Sequence, residues 1–342
     1  MQFLYGVSSN SVQQVLKNAG IKSYVQKESD SKHELPMHVV QPFSGKEKSR
    51  NHWVARPKDA QIKALIIHYT ASGLKSTMRT FTSGKVPRVS PHYSVTEEEE
   101  ESDISGGHII QLVDEKNRAA HAGVSQWRDI VQKNKKGLND YSIGIENVNL
   151  GWLGKKNDYG KKDNIKFYTW HTFDKNQVVA LGNLCKNIVQ KYDIDPANVL
   201  GHADIATSRN PDPGPLFPWK ELHEKYGVGA WLKEHELDPN YIKRKYNSEG
   251  ESCPKETSET FVLKCLEQYG YHIPDGIEAG MTKQNHAVLQ AFRAHFSCNM
   301  RPQACYSTNV TRRDMVWAYG LANKYSSYKT HLFSKSYNKK VK

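Results

Sequence analysis

Short apolar runs that end in a polar residue alternate with stretches of helical spacing through the middle of the chain. The runs at residues 64–68 (ALIIH) and 141–146 (YSIGIE) are typical of buried strands, because a strand covered on both faces is apolar along most of its length. Residues 175–192 repeat apolar positions every three to four residues, as an amphipathic helix does. The pattern predicts an α/β fold with a mixed central β-sheet flanked by helices.

The chain divides into five parts by pattern. Residues 1–50 are polar and weakly patterned, so we expect an extended N-terminal arm, and residues 51–232 carry the α/β pattern. Residues 233–258 are charged and contain Pro and Gly, which indicates a linker. Residues 259–328 contain three stretches of helical spacing and predict a small C-terminal helical domain. Residues 329–342 form a basic tail.

Two loops stand out within the α/β part. The glutamates at residues 97–101 repel one another, so we interpret them as a solvated hairpin loop between strands at 91–96 and 108–113. Residues 147–172 are irregular and rich in Gly, Lys and Asn, and we expect this segment to overhang a cleft.

Composition and charge narrow the class of partner. The chain has 342 residues, 37% of them hydrophobic, and a net charge of +12 with a sequence pI of about 9.2. A basic surface favours anionic partners such as nucleic acid, acidic lipid or an anionic cell-wall polymer, although a merely solvated surface is the alternative. No recognisable nucleic-acid module is present, so we expect no nucleic-acid partner. No run approaches the roughly 18 apolar residues of a membrane-spanning helix, and the N-terminus does not have the pattern of a secretory signal.

The cysteines suggest an oxidising compartment. Cys185 lies in a helix-like segment and is expected in the core, whereas the other four lie in the last quarter of the chain: Cys253, Cys265, Cys298 and Cys305. An even number of cysteines in a small region indicates disulfides, with free buried thiols as the alternative. The absence of a Cys-x-x-Cys pair argues against a zinc ribbon.

Four polar residues carry the candidate chemistry. His68 closes ALIIH, Glu146 closes SIGIE, His202 follows VLG, and Asp212 lies further along in GHADIATSRNPDPGPLFPW. Strand ends on one side of a sheet converge at a cleft. Two histidines and a carboxylate form a three-ligand zinc set with a fourth position open for water, and a nearby Glu can move the proton. The chain has 15 histidines, so spacing alone leaves structural roles open.

The segments RVSPHYSV, AAHAGVSQWR, SIGIE and GHADIATSRNPDPGPLFPW resemble the zinc N-acetylmuramoyl-L-alanine amidases. This family includes an AmpD/AmiD branch, phage lysozyme-type amidases and peptidoglycan recognition proteins, and the resemblance covers roughly residues 53–232. It implies the amidase/peptidoglycan-recognition fold and hydrolysis of the bond between N-acetylmuramic acid and L-alanine. By position, it implies zinc on His68, His202 and Asp212 and catalysis by Glu146. Recognition-only relatives typically lose a zinc ligand, so retention favours an active enzyme.

One position departs from the family. Relatives usually carry a lysine two positions before the zinc aspartate, where it stabilises the developing oxyanion, and here that position is Asn210 beside Arg209. Loss of one oxyanion donor typically lowers the rate by about 10²–10³. Three alternatives remain: Asn210 is a weaker donor, Arg209 reaches in, or turnover is slow.

The resemblance also suggests substrate contacts. Arg88 lies where relatives bind the carboxylates of the stem peptide, with an exposed surface arginine as the alternative. His121 and Trp127 are further candidates, although a cleft-wall or core role is the alternative for both. His92 is expected in the cleft wall or the core.

The C-terminal part resembles, more weakly, the small peptidoglycan-binding-like domain of AmiD-type amidases, over about residues 255–327. A packing domain without a ligand is the alternative. We expect a monomer that acts on peptidoglycan or muropeptides, with a non-catalytic recognition module or an exported effector as alternative functions. The C-terminal domain and the cysteines favour a periplasmic or secreted protein, whereas the missing signal favours the cytoplasm.

Overall fold

The computed structural model describes most of the chain. The residues described are 9–26, 37–42, 52–83, 89–99, 104–128, 130, 137–154, 169–298 and 301–325. The strands within these ranges are β1 (Ser23–Gln26), β2 (Met37–Val40), β3 (Trp53–Ala55), β4 (Ala64–Tyr69), β5 (Tyr93–Val95), β6 (Ile109–Gln111), β7 (Asn117–Ala119), β8 (Ser142–Asn147) and β9 (Val199–Gly201). The helices are α1 (Ser9–Asn18), α2 (Leu74–Thr82), α3 (Lys175–Tyr192), α4 (His202–Ile205), α5 (Trp219–Tyr226), α6 (Pro239–Tyr246), α7 (Glu259–Tyr269), α8 (Lys283–Phe292), α9 (Pro302–Cys305) and α10 (Arg312–Tyr325).

Seven strands form one mixed sheet in the order β1-β2-β6-β5-β8-β4-β9. Strands β5, β8, β4 and β9 run parallel to one another, and the pairs β5–β6 and β1–β2 are antiparallel. Strand β4 is apolar and buried along nearly its whole length because it lies inside the sheet. The predicted fold class, a mixed sheet flanked by helices with further helices at the C-terminus, is confirmed.

Helix α3 packs against the sheet at the predicted bounds. Its N-terminal amides are capped by Asp174, whose side chain accepts a hydrogen bond from the Gln177 N–H. Its buried face includes Val178, Leu181 and Ile188. Burial of this apolar stripe, rather than intrinsic helix propensity, accounts for most of the stability of such a helix.

The expectation of an extended arm over residues 1–50 is wrong for the described part. Strand β2 pairs in parallel with β6, and β1 pairs with β2, so this part widens the main sheet. Val12, Leu16 and Val40 are buried against α2 and β6 in a core of their own. These apolar residues are few and scattered in the sequence, and most of the surface that covers them comes from later segments.

The expected linker at 233–258 is also a packed segment. It contains a 3-10 turn, Glu234–Leu237, followed by α6. Glu236 is buried and accepts a hydrogen bond from Lys324 Nζ of α10 at 2.6 Å, and Ile242 of α6 is buried in the core. The polar composition misled the sequence interpretation because the few apolar residues pack against a distant helix.

The C-terminal helices share one apolar core with the α/β part. Helix α8 continues into a π-helical segment, Arg293–Ser297, whose Arg293 forms a buried ion pair with Asp314 at 2.8 Å. The three stretches predicted as helices correspond to α7, α8 with its π-helical continuation, and α10. The predicted basic tail, 329–342, lies outside the described residues.

Two further expectations need correction. No disulfide links any of the five cysteines, all of which lie among the described residues, so the predicted disulfides are not present. The glutamate run is not a fully solvated loop: Glu97 is buried and contacts His171 at 2.9 Å, and Glu99 Oε1 accepts a hydrogen bond from the Leu74 N–H at the start of α2. Glu100 and Glu101 lie outside the described residues. Within the described chain, no helix has the length and apolar character needed to cross a membrane.

Candidate metal centre

Three neighbouring parallel strands bring the predicted polar residues together. His68 lies near the end of β4, and Glu146 is its register partner on β8. His202 is the first residue of α4, directly after β9 on the other side of β4. Asp212 follows in a loop that is tied to α4, because Ala203 N–H donates to its carbonyl oxygen at 2.8 Å. The convergence expected from the strand ends is confirmed.

The donor atoms of three buried side chains meet at one point. His68 Nδ1 lies 3.1 Å from His202 Nδ1 and 2.9 Å from Asp212 Oδ2, and His202 Nδ1 lies 3.2 Å from the same oxygen. Zinc binds nitrogen and oxygen ligands at about 2.0–2.1 Å, so two ligands of a tetrahedral ion are about 3.3 Å apart. Both the donor types and their spacing fit a zinc ion.

The protonation of these groups also suits a metal. Burial, followed by the adjacent His202, lowers the pKa of His68 below its ordinary value, so this imidazole is neutral at pH 7. Burial alone would raise the pKa of Asp212, but the adjacent His202, with His68 beside it, holds it well below its usual range. A neutral imidazole and an ionised carboxylate are the forms that bind metal.

A hydrogen-bonded chain behind His68 sets the position of its ring proton. The Ser142 hydroxyl donates to Leu138 O at 2.8 Å, so its oxygen accepts from His121 Nε2–H at 3.2 Å. His121 Nδ1 then carries a lone pair and accepts from His68 Nε2–H at 3.1 Å. This order leaves the lone pair of His68 on Nδ1, the atom that faces His202 and Asp212.

The alternation of β8 explains the motif SIGIE. Ser142, Gly144 and Glu146 share one face of the strand because side chains alternate with a period of two. Ser142 holds His121, and a Cβ atom at Gly144 would lie 2.4 Å from His121 Cγ, so only glycine leaves room for the ring. The third residue of that face, Glu146, points towards the metal centre, where it lines the cleft.

Glu146 is a half-buried carboxylate without a hydrogen-bond partner for its inner oxygen. Its Oε2 is inaccessible to solvent and has no partner within the described residues. Burial, with a further contribution from Asp212, raises the pKa of Glu146 well above the ordinary range of a glutamate. A buried polar atom with no partner is rare and indicates a group that meets a ligand or water.

The two residues before Pro211 contact His202 from its outer side. Asn210 Nδ2 lies 3.2 Å from both ring nitrogens of His202. Arg209 Nη2 donates to Ala122 O and Val124 O, both at 3.0 Å, and lies 3.3 Å from His202 Nε2. The Arg209 guanidinium is therefore anchored on backbone carbonyls, whereas the Asn210 amide faces the His202 ring.

The residues predicted to contact the substrate are described next, together with His92. Trp127 is 1% exposed and packs edge-on against Tyr269 and Tyr271 of the C-terminal part, so the prediction that it contacts substrate is wrong. His121 lines the cleft but is mostly buried, and it supports His68. His92 is fully buried, and its Nδ1 accepts from Gly144 N–H. Arg88 lies outside the described residues.

The sequence interpretation missed Ser142, which has no functional signal of its own. The period-two alternation that places it on the face of Glu146 is the one feature that could have identified it.

A cleft of about 860 Å³ opens in front of these groups. Its walls include Phe81, Val89, Leu150 and Trp152. The last two belong to the segment expected to overhang a cleft, and residues 150, 152 and 154 of that segment line this cleft, whereas 155–168 lie outside the described residues. A cleft of this size accommodates a ligand with a volume of several hundred Å³.

The comparisons with known proteins agree with this geometry. Residues 58–215 match the family described as N-acetylmuramoyl-L-alanine amidase. The chain is similar to the N-acetylmuramoyl-L-alanine amidase AmiD of Escherichia coli K12, with 36% identity over 244 residues, covering 69% of this chain and 75% of the relative. It resembles the solved complex of E. coli AmiD with the substrate anhydro-N-acetylmuramic acid-L-Ala-D-gamma-Glu-L-Lys (TM-score 0.59, 33% identity, 79% of this chain and 93% of that chain). It also resembles AMPDH3 from Pseudomonas aeruginosa in complex with anhydromuramic pentapeptide (TM-score 0.62, 31% identity, 80% of this chain and 96% of that chain).

Proposed function

The chain belongs to the N-acetylmuramoyl-L-alanine amidase family and is an enzyme of that class, and we propose that it is a zinc hydrolase with its metal held by His68, His202 and Asp212. The substrate we propose is peptidoglycan or its muropeptide fragments, cleaved at the amide bond between N-acetylmuramic acid and L-alanine. Muropeptides bound to two structural relatives support this substrate class.

The observation that carries the proposal is the meeting of three donor atoms within 4.8 Å of one another, with Glu146 on the adjoining strand. When bound, zinc lowers the pKa of a water molecule to about 7 and polarises a carbonyl group. The buried position of the three ligands excludes bulk water from the side of the site away from the cleft, so that these effects are weakly screened.

Glu146 is the group that moves the proton in this proposal. Its carboxylate takes a proton from the attacking water as the oxygen–carbon bond forms, and returns it to the alanine nitrogen as the carbon–nitrogen bond breaks. The raised pKa of Glu146 favours the first transfer, because a carboxylate with an ordinary pKa is too weak a base near neutral pH.

Asn210 is the proposed donor to the oxygen of the scissile carbonyl. Its amide nitrogen lies beside His202 at the open side of the site, whereas two backbone carbonyls occupy Arg209 Nη2. These contacts favour Asn210 over Arg209 for the role that a lysine has in relatives. A neutral amide stabilises an oxyanion less than an ammonium group does, so we expect slow turnover.

The alternative functions receive less support. A recognition module without catalysis would not need all three ligands and Glu146, and no feature of the described fold points to a host-directed effector. A wall-binding role for the C-terminal helices, and the monomeric state, stay predictions. The periplasmic or secreted location, with the cytoplasm as the alternative, also stays a prediction.

The test measures bound zinc and reaction products in the same preparation. The purified protein is incubated with intact sacculi and, separately, with soluble anhydro-muropeptides, and released stem peptides are identified by mass spectrometry. We expect one zinc per chain and release of peptides with a free L-alanine amine. Bound zinc without release from either substrate would contradict the enzyme assignment, and cleavage at another bond would contradict the proposed specificity.

A further inference from the structure

Asp204 is a buried carboxylate next to the proposed metal centre, and several donors form hydrogen bonds to it. It lies in the single turn of helix that begins with His202. The Asp204 side chain is 3% exposed. Its Oδ2 accepts from Gly201 N–H at 2.7 Å and contacts His295 Nδ1 at 2.7 Å. Its Oδ1 accepts from the Tyr271 hydroxyl at 2.6 Å. Three donors therefore fix one carboxylate two positions from a metal ligand.

Two of these donors come from the C-terminal helical part. Tyr271 follows α7, and His295 lies in the π-helical segment after α8. Aromatic contacts hold both rings against the α/β part: the His295 ring stacks on Trp219 with centroids 3.7 Å apart, and Tyr271 packs edge-on against Trp127 at 4.8 Å. Trp127, expected from sequence at the substrate, thus contributes to this contact instead.

The proton of His295 can be placed from its surroundings. His295 Nε2 is buried and has no partner among the described residues. A proton on that nitrogen would be a buried donor without a partner there. Because the Asp204 carboxylate is an acceptor, the proton of His295 lies on Nδ1 and is donated to Asp204, so His295 acts as a fixed donor.

The contacts of Asp204 are important because α4 is too short to be stable without contacts to the rest of the protein. It has four residues, His202–Ile205, and one helical turn gains too few internal hydrogen bonds to be stable alone. The direction of the His202 ring therefore depends on external contacts of α4. The contacts of Asp204 with Tyr271 and His295 are among the strongest of these, because hydrogen bonds to an ionised carboxylate are shorter and stronger than neutral ones.

We propose that Tyr271 and His295 are positioning residues of the metal centre: through Asp204 they fix α4, and with it the metal ligand His202. On this proposal the C-terminal helical part completes the active site, whether or not it also binds the cell wall. The inference rests on the proposed zinc site, and its test includes metal affinity as well as activity.

The experiment compares Tyr271→Phe and His295→Phe with the wild-type full-length protein. Both substitutions keep a buried aromatic ring and remove only the donor to Asp204. We expect each to weaken zinc binding about tenfold, the lower end of the range for outer partners of metal ligands, measured by competition with a chelator. The absorption spectrum of bound Co²⁺ should change, because His202 is less well oriented. His295→Asn, which can restore a donor near the position of Nδ1, should recover part of the affinity.

Tyr319→Phe is the matched control. Tyr319 lies in α10, is fully buried, and donates through its hydroxyl to Glu251 O at 3.2 Å, away from Asp204. We expect wild-type zinc affinity in this variant. Equal weakening in Tyr319→Phe and Tyr271→Phe would mean that general loosening of the helices is the cause, and would overturn the proposal.

A double variant tests the route through Asp204. In an Asp204→Ala background, which has neither acceptor oxygen, the further effect of Tyr271→Phe should largely disappear, because residues that act through one group are not additive. Unchanged zinc affinity and Co²⁺ spectrum in Tyr271→Phe and His295→Phe would overturn this inference alone. A wild-type protein that binds no zinc would instead overturn the proposed function.

Discussion

Replacing Ser142 with alanine should weaken metal binding although Ser142 does not touch the metal ligands. The hydroxyl accepts from His121 Nε2–H, and its loss leaves a donor without a partner on a ring that is 9% exposed. The hydrogen-bonded chain of His121 and His68 can respond in two ways. Either His121 keeps its proton on Nε2 without an acceptor, or it moves that proton to Nδ1. In the second case two N–H donors, His121 Nδ1–H and His68 Nε2–H, face each other.

The two responses affect different quantities. An unsatisfied buried donor lowers the free energy of unfolding by about 1–3 kcal/mol, with or without metal. A shift of the His121 proton to Nδ1 instead forces His68 to carry its own proton on Nδ1, the atom that faces the metal site, and this proton must be displaced before metal binds. Because about 1.4 kcal/mol corresponds to a factor of ten, we expect zinc affinity to fall between about tenfold and a hundredfold.

The assay is chelator competition for zinc, together with urea unfolding of the metal-free protein. Ser94→Ala is the matched control: Ser94 is fully buried on β5, in register with Glu146, and its hydroxyl has no partner within the described residues. It should bind zinc as the wild type does. If Ser142→Ala and Ser94→Ala bind zinc equally tightly, the hydrogen-bonded chain behind His68 does not control the ligand.

Three other results are expected. Glu146→Gln should retain zinc but lower kcat by about 10²–10⁴, and a variant with zinc bound and near wild-type turnover would show that another group moves the proton. Asn210→Lys should raise kcat, by up to about 10²–10³ if the ammonium group reaches the oxyanion, and an unchanged kcat would count against slow turnover from the missing lysine. Burial and the nearby Arg56 lower the pKa of His92 to about 3. As the pH falls below about 6.5, the unfolded chain therefore binds a proton at His92 that the folded chain does not bind. The free energy of unfolding should fall by up to about 1.4 kcal/mol per pH unit between pH 6.5 and pH 3. Urea unfolding should show a smaller slope for His92→Asn, and identical slopes would mean that other groups control the acid stability.

The meeting of the residues proposed to bind metal was predictable because their chemistry coincides with local pattern. His68 and Glu146 end apolar runs, and such runs are parallel strands whose ends meet. The resemblance then distinguished His202 and Asp212 from the other histidines and carboxylates. The sequence pattern therefore indicated where the strand ends meet, and the resemblance indicated which residues there belong to the site.

The contacts that support these ligands were not predictable in the same way. Asp204 and His295 are 91 positions apart, and no periodicity connects them. Trp127 lies in a motif of the family, which favoured a substrate contact, but its surroundings are decided by helices that follow it far along the chain. The strand β2 was missed because it has four residues and its partner β6 lies much later in the sequence.

Asn210, which stands where relatives have a lysine, is not part of the hydrogen-bonded contacts proposed to orient His68 and His202 through His121 and Asp204. His68 is oriented through His121, and α4, which begins with His202, is held through Asp204; neither route includes Asn210. The Asn210 amide instead lies at 3.2 Å on the outer side of the His202 ring, where the cleft begins. A change at this position therefore alters what meets the substrate, while the hydrogen bonds of His121 to His68 and of Asp204 to Tyr271 and His295 stay in place. It follows that Asn210 should affect the rate of hydrolysis much more than the affinity for zinc, whereas Ser142 and Tyr271 should affect the affinity first.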